Sequence, residues 1–142
     1  ASAAGKNAPG ARSNFRNIPN GIPGVETRLP ILFSEGVVKG RISLERFAEL
    51  TATNHARLYG LYPRKGAIMV GADADIVLWD PDKSKQIAQA NLHHGSDYTP
   101  WEGFEVKGWP IRTMLRGVTT MLDGEPTGAP MGEYLIRRAP II

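Results

Sequence analysis

The spacing of apolar positions changes near residue 62 and divides the chain into a helical part and a strand part. Between residues 25 and 38 the apolar side chains recur at helical spacing, which predicts one helix ending near Gly36 and Gly40. Thr27 is its predicted N-cap, and Pro30 then falls in the first turn, where a missing N–H costs nothing. The predicted buried stripe consists of Val25, Leu29, Leu32, Phe33 and Val37.

Two further helices are predicted before the spacing changes. The segment SLERFAEL starts one with Ser43 as its N-cap and Glu45 near its positive end. The segment TNHARLYGL adds a short one, begun by Thr53 or Asn54 and closed by Gly60.

The strand part begins with GAIMVGADADIVLWDP. It predicts a short strand, a turn at residues 71–73 and a second strand from 74 to 79, ended by Asp80 and Pro81. The segment FEVKGWPIRTMLRGVTTMLDGEP predicts more strands, and Pro110 should confine its own strand to a sheet edge or a strand start. Its predicted breaks fall at Gly108, at Arg116-Gly117 and at Asp123-Gly124.

Composition is ordinary for a globular chain. The 142 residues are 42% hydrophobic and 22% charged, with a net charge of +3 whose densest basic spot is Arg137-Arg138. So small and dispersed a charge argues against a nucleic-acid partner. The chain has no cysteine, which excludes disulfides and thiolate chemistry and favours a cytoplasmic location. No apolar run reaches the ~18 residues of a membrane span, and no signal peptide is predicted at residues 1–15.

Two polar pairs invite a functional interpretation, and structural roles are favoured for both. Adjacent His93 and His94 would point to opposite faces of an extended segment, so they should not share a metal ion. Asp73 and Asp75 share a face and could act as an acid–base pair, but turn and strand-start chemistry explains them at least as well.

Neither the serines nor the tryptophans indicate an active site. Ser34 and Ser43 lack a nucleophile motif. Basic residues do not alternate with the tryptophans as in a base-stacking surface, so packing is their predicted role; they are Trp79, Trp101 and Trp109.

The loop IPNGIPG, residues 18–24, is the strongest candidate site. Its prolines and glycines preset sharp turns, and Gly21 and Gly24 permit close approach of a ligand to the main chain. The residues themselves leave open a second interpretation, a plain tight connection into the helix.

The long segment from NFRNIPNGIPGVETRLPILF to NHARLYGLYPRKGAIMVGADADIVLWDP resembles the C-terminal third of the hydantoinase/dihydropyrimidinase family, within the amidohydrolase superfamily. LHHGSDYTPWEGFEVKGWP is similar to the closing segment of that family, and the resemblance covers residues 14–124. It implies an α/β fold, namely the C-terminal part of a (β/α)8 barrel followed by part of a small β-sandwich and an extended tail.

The resemblance also implies a division of the chain. Residues 1–17 would be a loop, 18–60 the last loop and helices of the barrel, 61–124 the β-sandwich portion and 125–142 a tail used in oligomer contacts. The loop at residues 18–24 would then lie at the C-terminal face of the barrel, where active sites of such barrels lie.

The family hydrolyses the C–N bond of cyclic diamides and imides, using two divalent metal ions, usually zinc, that share a hydroxide. By position, Asn20 corresponds to the asparagine whose main chain recognises the amide edge of the ring. The family's metal ligands lie upstream of this segment, so this chain alone is expected to bind no catalytic metal and to be inactive. By the same resemblance, Thr27 stands where the family usually has Asp, and His55 where Pro is common.

Implied partners are a cyclic amide, the remainder of the polypeptide and further subunits of a dimer or tetramer; no nucleic acid or membrane is expected. Two alternatives stay open. One is a non-catalytic, dihydropyrimidinase-related oligomeric scaffold that has lost the metals. The other is a free-standing basic binding module, whose binding to nucleic acid would depend on salt.

Overall fold

A computed structural model describes residues 14–17 and 20–141 of the chain. The predicted loop over residues 1–17 lies outside this part except for its last four residues, and Ile18 and Pro19 of the candidate loop also lie outside it. Helices come first, then a four-stranded antiparallel sheet, then a tail without regular secondary structure, which is the predicted order of elements.

The first helix, α1, spans Val25–Leu32 and continues as a π-helical segment, Phe33–Val38. Its predicted extent is confirmed, but the predicted N-cap is wrong, because Gly24 is the N-cap and its carbonyl accepts from Arg28 N at 2.9 Å. Pro30 therefore lies inside the helix rather than in its first turn. The donor that Pro30 lacks is a physical reason for the irregular hydrogen bonding that follows.

The buried face of this helix also differs from the predicted stripe. Val25 is 88% exposed, whereas Thr27, Pro30 and Phe33 are buried. Of the predicted stripe, Phe33 is buried and Leu29, Leu32 and Val37 are half-buried, so Val25 is its one exposed member.

The second and third predicted helices form one continuous helical run. It consists of α2 (Leu44–Ala48), a π-helical segment (Glu49–Thr53) and α3 (Asn54–Leu58). Ser43 is the N-cap as predicted, since its Oγ accepts from Arg46 N at 3.2 Å. The predicted new start at residue 53 or 54 is wrong, because both residues are already helical and neither side chain caps. Gly60 ends the run with a φ of +68°, as predicted.

The sheet is a meander whose strands follow each other in chain order. They are β1 (Ile76–Gln86), β2 (Glu105–Leu115), β3 (Val118–Leu122) and β4 (Glu125–Pro126). Two tight turns join β2 to β3 to β4, both at predicted breaks, with positive φ at Arg116, Gly117, Asp123 and Gly124. Two successive positive φ values are typical of hairpin turns that match strand twist.

The predicted end of β1 at Asp80-Pro81 is wrong, because the strand bulges there and continues. Oδ1 of Asp80 accepts from the N–H groups of Asp82 and Lys83 at 3.0 and 3.2 Å, and pairing resumes at Ser84. Gly108 lies opposite in β2 with a φ of +93°, so the predicted break there is instead a bulge within one strand.

Pro110 lies in the interior of β2, at a position where the strand is paired on one side only. It is aligned with Trp79 of β1, whereas pairing with β3 begins only at Arg112. The prediction of an edge strand or a strand start is therefore wrong, because β2 lies between β1 and β3; Pro110 is tolerated since pairing with β3 begins beyond it.

The strand predicted before the turn at residues 71–73 is absent from the described part of the chain. Ile68 and Val70 are 90% and 102% exposed, and no described strand lies beside them. A strand needs a hydrogen-bonded neighbour, which local residue preference does not supply.

Aromatic side chains join the helices to the sheet. The Phe33 ring centroid lies 5.4 Å from that of Phe47 and 5.0 Å from that of Trp79 in β1. A second apolar cluster contains Ile87, Val106 and Trp109, all at most 5% exposed. Trp79 and Trp109 therefore have the predicted packing roles.

No helix in the described residues combines the length and apolar character that crossing a bilayer requires. The tail, beyond residue 126, has no regular secondary structure in its described part and returns to the helices. Arg138 N donates to Gly60 O at 2.8 Å, and Ile141 N donates to Arg57 O at 3.1 Å.

Candidate substrate-binding loop

The described part of the candidate loop, Asn20 to Gly24, immediately precedes α1 and is open to solvent. Gly21 has a φ of +86°, and a Cβ built on it would meet no atom within 4 Å. Within residues 14–17 and 20–141, no hydrogen bond engages the N–H or C=O of Asn20. One donor and one acceptor of Asn20 are therefore available in these residues to an external partner.

The end of the loop is attached to the first turn of α1. The Gly24 carbonyl accepts from Arg28 N and also, at 3.5 Å, from Oγ1 of Thr27. Thr27 is 1% exposed, so its hydroxyl lies inside and reaches back towards the loop. This contact gives Thr27 a local structural role in place of the predicted cap.

An open, largely apolar cleft of about 510 Å³ lies beside the loop. It extends from the loop along one side of α1 and is bounded across the gap by Trp101. Its lining residues are Ile22, Pro23, Gly24, Val25, Arg28, Ile31, Leu32, Glu35 and Trp101.

The two adjacent histidines have separate partners. Nδ1 of His93 lies 2.9 Å from Oε1 of Glu26, and His93 N donates to Oε2 of Glu26 at 2.8 Å. Nδ1 of His94 instead accepts from Ser96 N at 3.2 Å. The structure thus places the two rings in different environments. The contact with Glu26 was missed in the sequence because 67 residues separate the partners.

The two aspartates meet on one lysine. Nζ of Lys65 lies 2.9 Å from Oδ2 of Asp73 and also contacts Oδ2 of Asp75. Nε of Arg64 bonds Asp73 at 2.9 Å, and Oδ1 of Asp75 accepts from Arg116 N at 2.9 Å. Asp73 therefore holds residues 64–73 together, and Asp75 joins them to Arg116 of the β2–β3 turn, in line with the structural interpretation.

These contacts change the ionisation of Lys65 and Asp73. Burial opposes the charge of Lys65, but its hydrogen bonds to Asp75 and Asp73 outweigh that cost and raise the pKa of the ammonium group. The hydrogen bond from Lys65, with a further one from Arg64, lowers the pKa of Asp73 against a smaller opposing effect of burial.

The variant Lys65→Met should lower the free energy of unfolding by about 1 kcal/mol at neutral pH. Because the pKa of Asp73 is lowered in the fold, its stabilising effect is complete above the ordinary aspartate pKa and is lost as pH falls through the lowered value. Urea unfolding at pH 7 and at about pH 3 should therefore show that acidification lowers the free energy of unfolding less in the variant than in the wild type. An equal loss in both proteins would contradict this coupling.

The two serines have structural roles. Oγ of Ser34 accepts from Lys107 N at 3.1 Å and joins the π-helical segment after α1 to β2, and Ser43 caps α2. Trp101 packs against Phe104 with ring centroids 5.8 Å apart, and it also lines the cleft beside the candidate loop.

Comparison with known proteins gives the class of this protein. The chain belongs to the amidohydrolase family, whose model matches residues 13–120. Within it the similarity is to hydantoinases, as the sequence resemblance predicted.

Three relatives illustrate the similarity. The chain is 48% identical over 132 residues to a D-phenylhydantoinase of Escherichia coli O1:K1, an alignment that covers 93% of this chain and 29% of the relative. A D-hydantoinase structure from Bacillus sp. AR9 matches with a TM-score of 0.85 and 42% identity, covering 93% of this chain and 29% of that one. An L-hydantoinase (dihydropyrimidinase) structure from Arthrobacter aurescens matches with a TM-score of 0.77 and 38% identity, covering 84% and 26%. The chain thus spans less than a third of the length of these relatives.

Proposed function

We propose that this chain is the C-terminal portion of a metal-dependent cyclic amidohydrolase that opens the C–N amide bond of cyclic diamides and imides. The observation that carries the proposal is the 48% identity, over 93% of the chain, to a protein named D-phenylhydantoinase. The main chain of Asn20, which makes no hydrogen bond within the described residues and lies in the matched segment, would supply a recognition element suited to such a ring.

Asn20 would bind the amide edge of the ring through its main chain. Its N–H would donate to a ring carbonyl oxygen, and its C=O would accept from a ring N–H. A ring that lacks this donor–acceptor edge would leave two polar groups of the loop unpaired, so the loop would select against it.

The division of the chain is part of the proposal. Residues 18–60 would belong to the end of a (β/α)8 barrel, 61–124 to a small β-sandwich and 125–142 to a tail at a subunit contact. The helices before residue 60 and the sheet after residue 75 support the first boundary. The exposed apolar side chains of Ile68 and Val70 support contact with the remainder of the polypeptide.

The family chemistry requires two divalent metal ions, for which zinc is the proposed identity. Within the described residues no group of three or more His, Cys, Asp or Glu side chains could hold a metal ion. The described residues therefore do not fit the metals, and the proposal places the ligands outside this chain. The role assigned to this chain is to recognise and orient the ring.

The remaining parts of the proposal are a cytoplasmic location and a homo-oligomer, dimer or tetramer, without nucleic-acid or membrane partners. The scaffold alternative finds no support in the comparisons, because the relatives described above are named as hydantoinases.

The test is ring opening by the full-length protein carrying zinc. Hydantoin, a 5-phenyl-substituted hydantoin and a dihydropyrimidine should be hydrolysed to N-carbamoyl acids, and a linear amide of similar size should not. Titration of the released carboxyl group or chromatography of the product measures the reaction. Failure to open any cyclic amide, with zinc bound and the protein folded, would refute the proposal.

A further inference from the structure

We infer that His93 is a positioning residue for ring recognition, acting through Glu26 to hold the Asn20 loop in place. The inference rests on the proposed function, since it concerns how residues 20–24 of the candidate loop, called the recognition loop below, keep their shape. It adds the connection between β1 and β2, residues 87–104, to the parts of the chain that support the site.

One residue satisfies both oxygens of the Glu26 carboxylate. The backbone N–H of His93 donates to Oε2 at 2.8 Å, and its ring Nδ1 lies 2.9 Å from Oε1. Two bonds from one residue to one carboxylate define an orientation as well as a distance, as bidentate pairs do. The side chains are 46% and 28% exposed, so such a pair adds little to overall stability.

The connection that carries His93 is anchored in the core. Ile87, 1% exposed, begins it, and Ile87 N donates to Phe104 O at 2.9 Å at the other end. Gly103 N returns a bond to Ile87 O at 2.8 Å, and Gln89 N donates to Oε2 of Glu102 at 2.8 Å. A compact loop whose ends are bonded together can serve as a fixed support.

The residues next to the pair connect the same two parts of the fold. Leu92, immediately before His93, and Ile31 of α1 both pack against the core cluster of Ile87, Val106 and Trp109. Trp101, from the same connection, lines the cleft beside Ile22 and Pro23 of the recognition loop. These contacts flank the His93–Glu26 pair on both sides.

Glu26 lies at the point where the recognition loop becomes a helix. It is the second residue of α1, next but one to the N-cap Gly24 and six positions after Asn20. Loss of the fixed orientation of the Glu26 side chain would change the direction in which the chain passes from the loop into α1. A displacement near 1 Å is enough to cost much of an oriented interaction with substrate.

The experiment compares His93→Ala and Glu26→Ala in the full-length protein, with kcat and KM measured on a hydantoin. Because Asn20 would bind the ring before and during reaction, KM should rise about fivefold and kcat should change less than about twofold. His93→Gln, whose amide can still donate to Glu26, should recover most of the loss. The double variant should be no worse than Glu26→Ala alone, because Glu26→Ala already removes both bonds, including the ring bond that His93→Ala removes.

His94→Ala is the matched control. It removes the neighbouring histidine of the same connection, whose ring accepts from Ser96 N within that connection. Its KM should stay at the wild-type value. Melting temperatures of all variants separate misfolding from repositioning. If Glu26→Ala does not fold, Glu26→Gln replaces it. This variant keeps one accepting oxygen and should show an intermediate KM.

Two results would overturn the inference while leaving the proposed function intact. One is active His93→Ala and Glu26→Ala proteins with wild-type KM. The other is a KM rise in His94→Ala as large as that in His93→Ala. A wild-type protein that opens no cyclic amide would instead refute the proposed function. The KM values of the variants are compared only when the wild type is active.

Discussion

Gly108→Ala should lower the free energy of unfolding by about 3 kcal/mol, a large part of the stability of an ordinary domain. A methyl group at this position would overlap the Phe33 ring and lie 2.9 Å from Nε1 of Trp79. The φ of +93° adds a second cost, because residues with a Cβ rarely adopt it. Thermal and urea unfolding followed by tryptophan fluorescence would measure both costs together.

Gly124→Ala separates the two costs. Gly124 has nearly the same φ, +95°, in the β3–β4 turn, but a Cβ there would meet no atom within 4 Å. This variant should lose only about 1 kcal/mol, the cost of the backbone conformation. The difference between the variants measures the close contact between β2 and the Phe33 ring. Equal losses would show that this contact has no cost.

Asn20→Pro should lower kcat/KM of the full-length protein for a hydantoin about 100-fold, whereas Asn20→Ala should change it less than about threefold. Proline removes the backbone N–H that would donate to the ring, and alanine removes only the side chain. The comparison therefore tests the main chain directly. Steady-state kinetics on one batch of each zinc-loaded protein would measure it.

A second substrate distinguishes the loss of ring recognition from general damage to the loop. A ring that lacks the donor–acceptor edge but keeps a cleavable amide should be a poor substrate for the wild type and should lose little more in Asn20→Pro. If alanine is as harmful as proline, the side chain of Asn20 carries the recognition. If neither change has an effect, Asn20 does not bind the ring.

Features set by local chemistry were predicted correctly from the sequence. The cap at Ser43, the helix end at Gly60 and the turn at Asp123-Gly124 each depend on a few adjacent residues. The order of helices and strands followed from the change in apolar spacing. The candidate loop was selected because its residues preset a turn, and the role that the family resemblance assigns to Asn20 stays a prediction.

The errors concern properties that depend on distant parts of the chain. After the bulge that follows Asp80, β1 continues because Ser84 is paired with Lys107 of β2. The exposed segment around Ile68 has no neighbouring strand among the described residues. The pair of Glu26 and His93 needs two segments 67 residues apart to meet, and no local pattern reports that.

The return of the tail to the helices has a consequence for sequence variation. Its bonds to residues 57 and 60 use main-chain N–H groups of Arg138 and Ile141, so many side chains at these two positions would preserve them. Proline would not, although Pro140 between them is compatible because its nitrogen is not used in either bond. Homologous tails could thus diverge widely in composition while following one path, provided that a residue without a side chain stays at position 60, where a Cβ would collide with the carbonyl of Arg138.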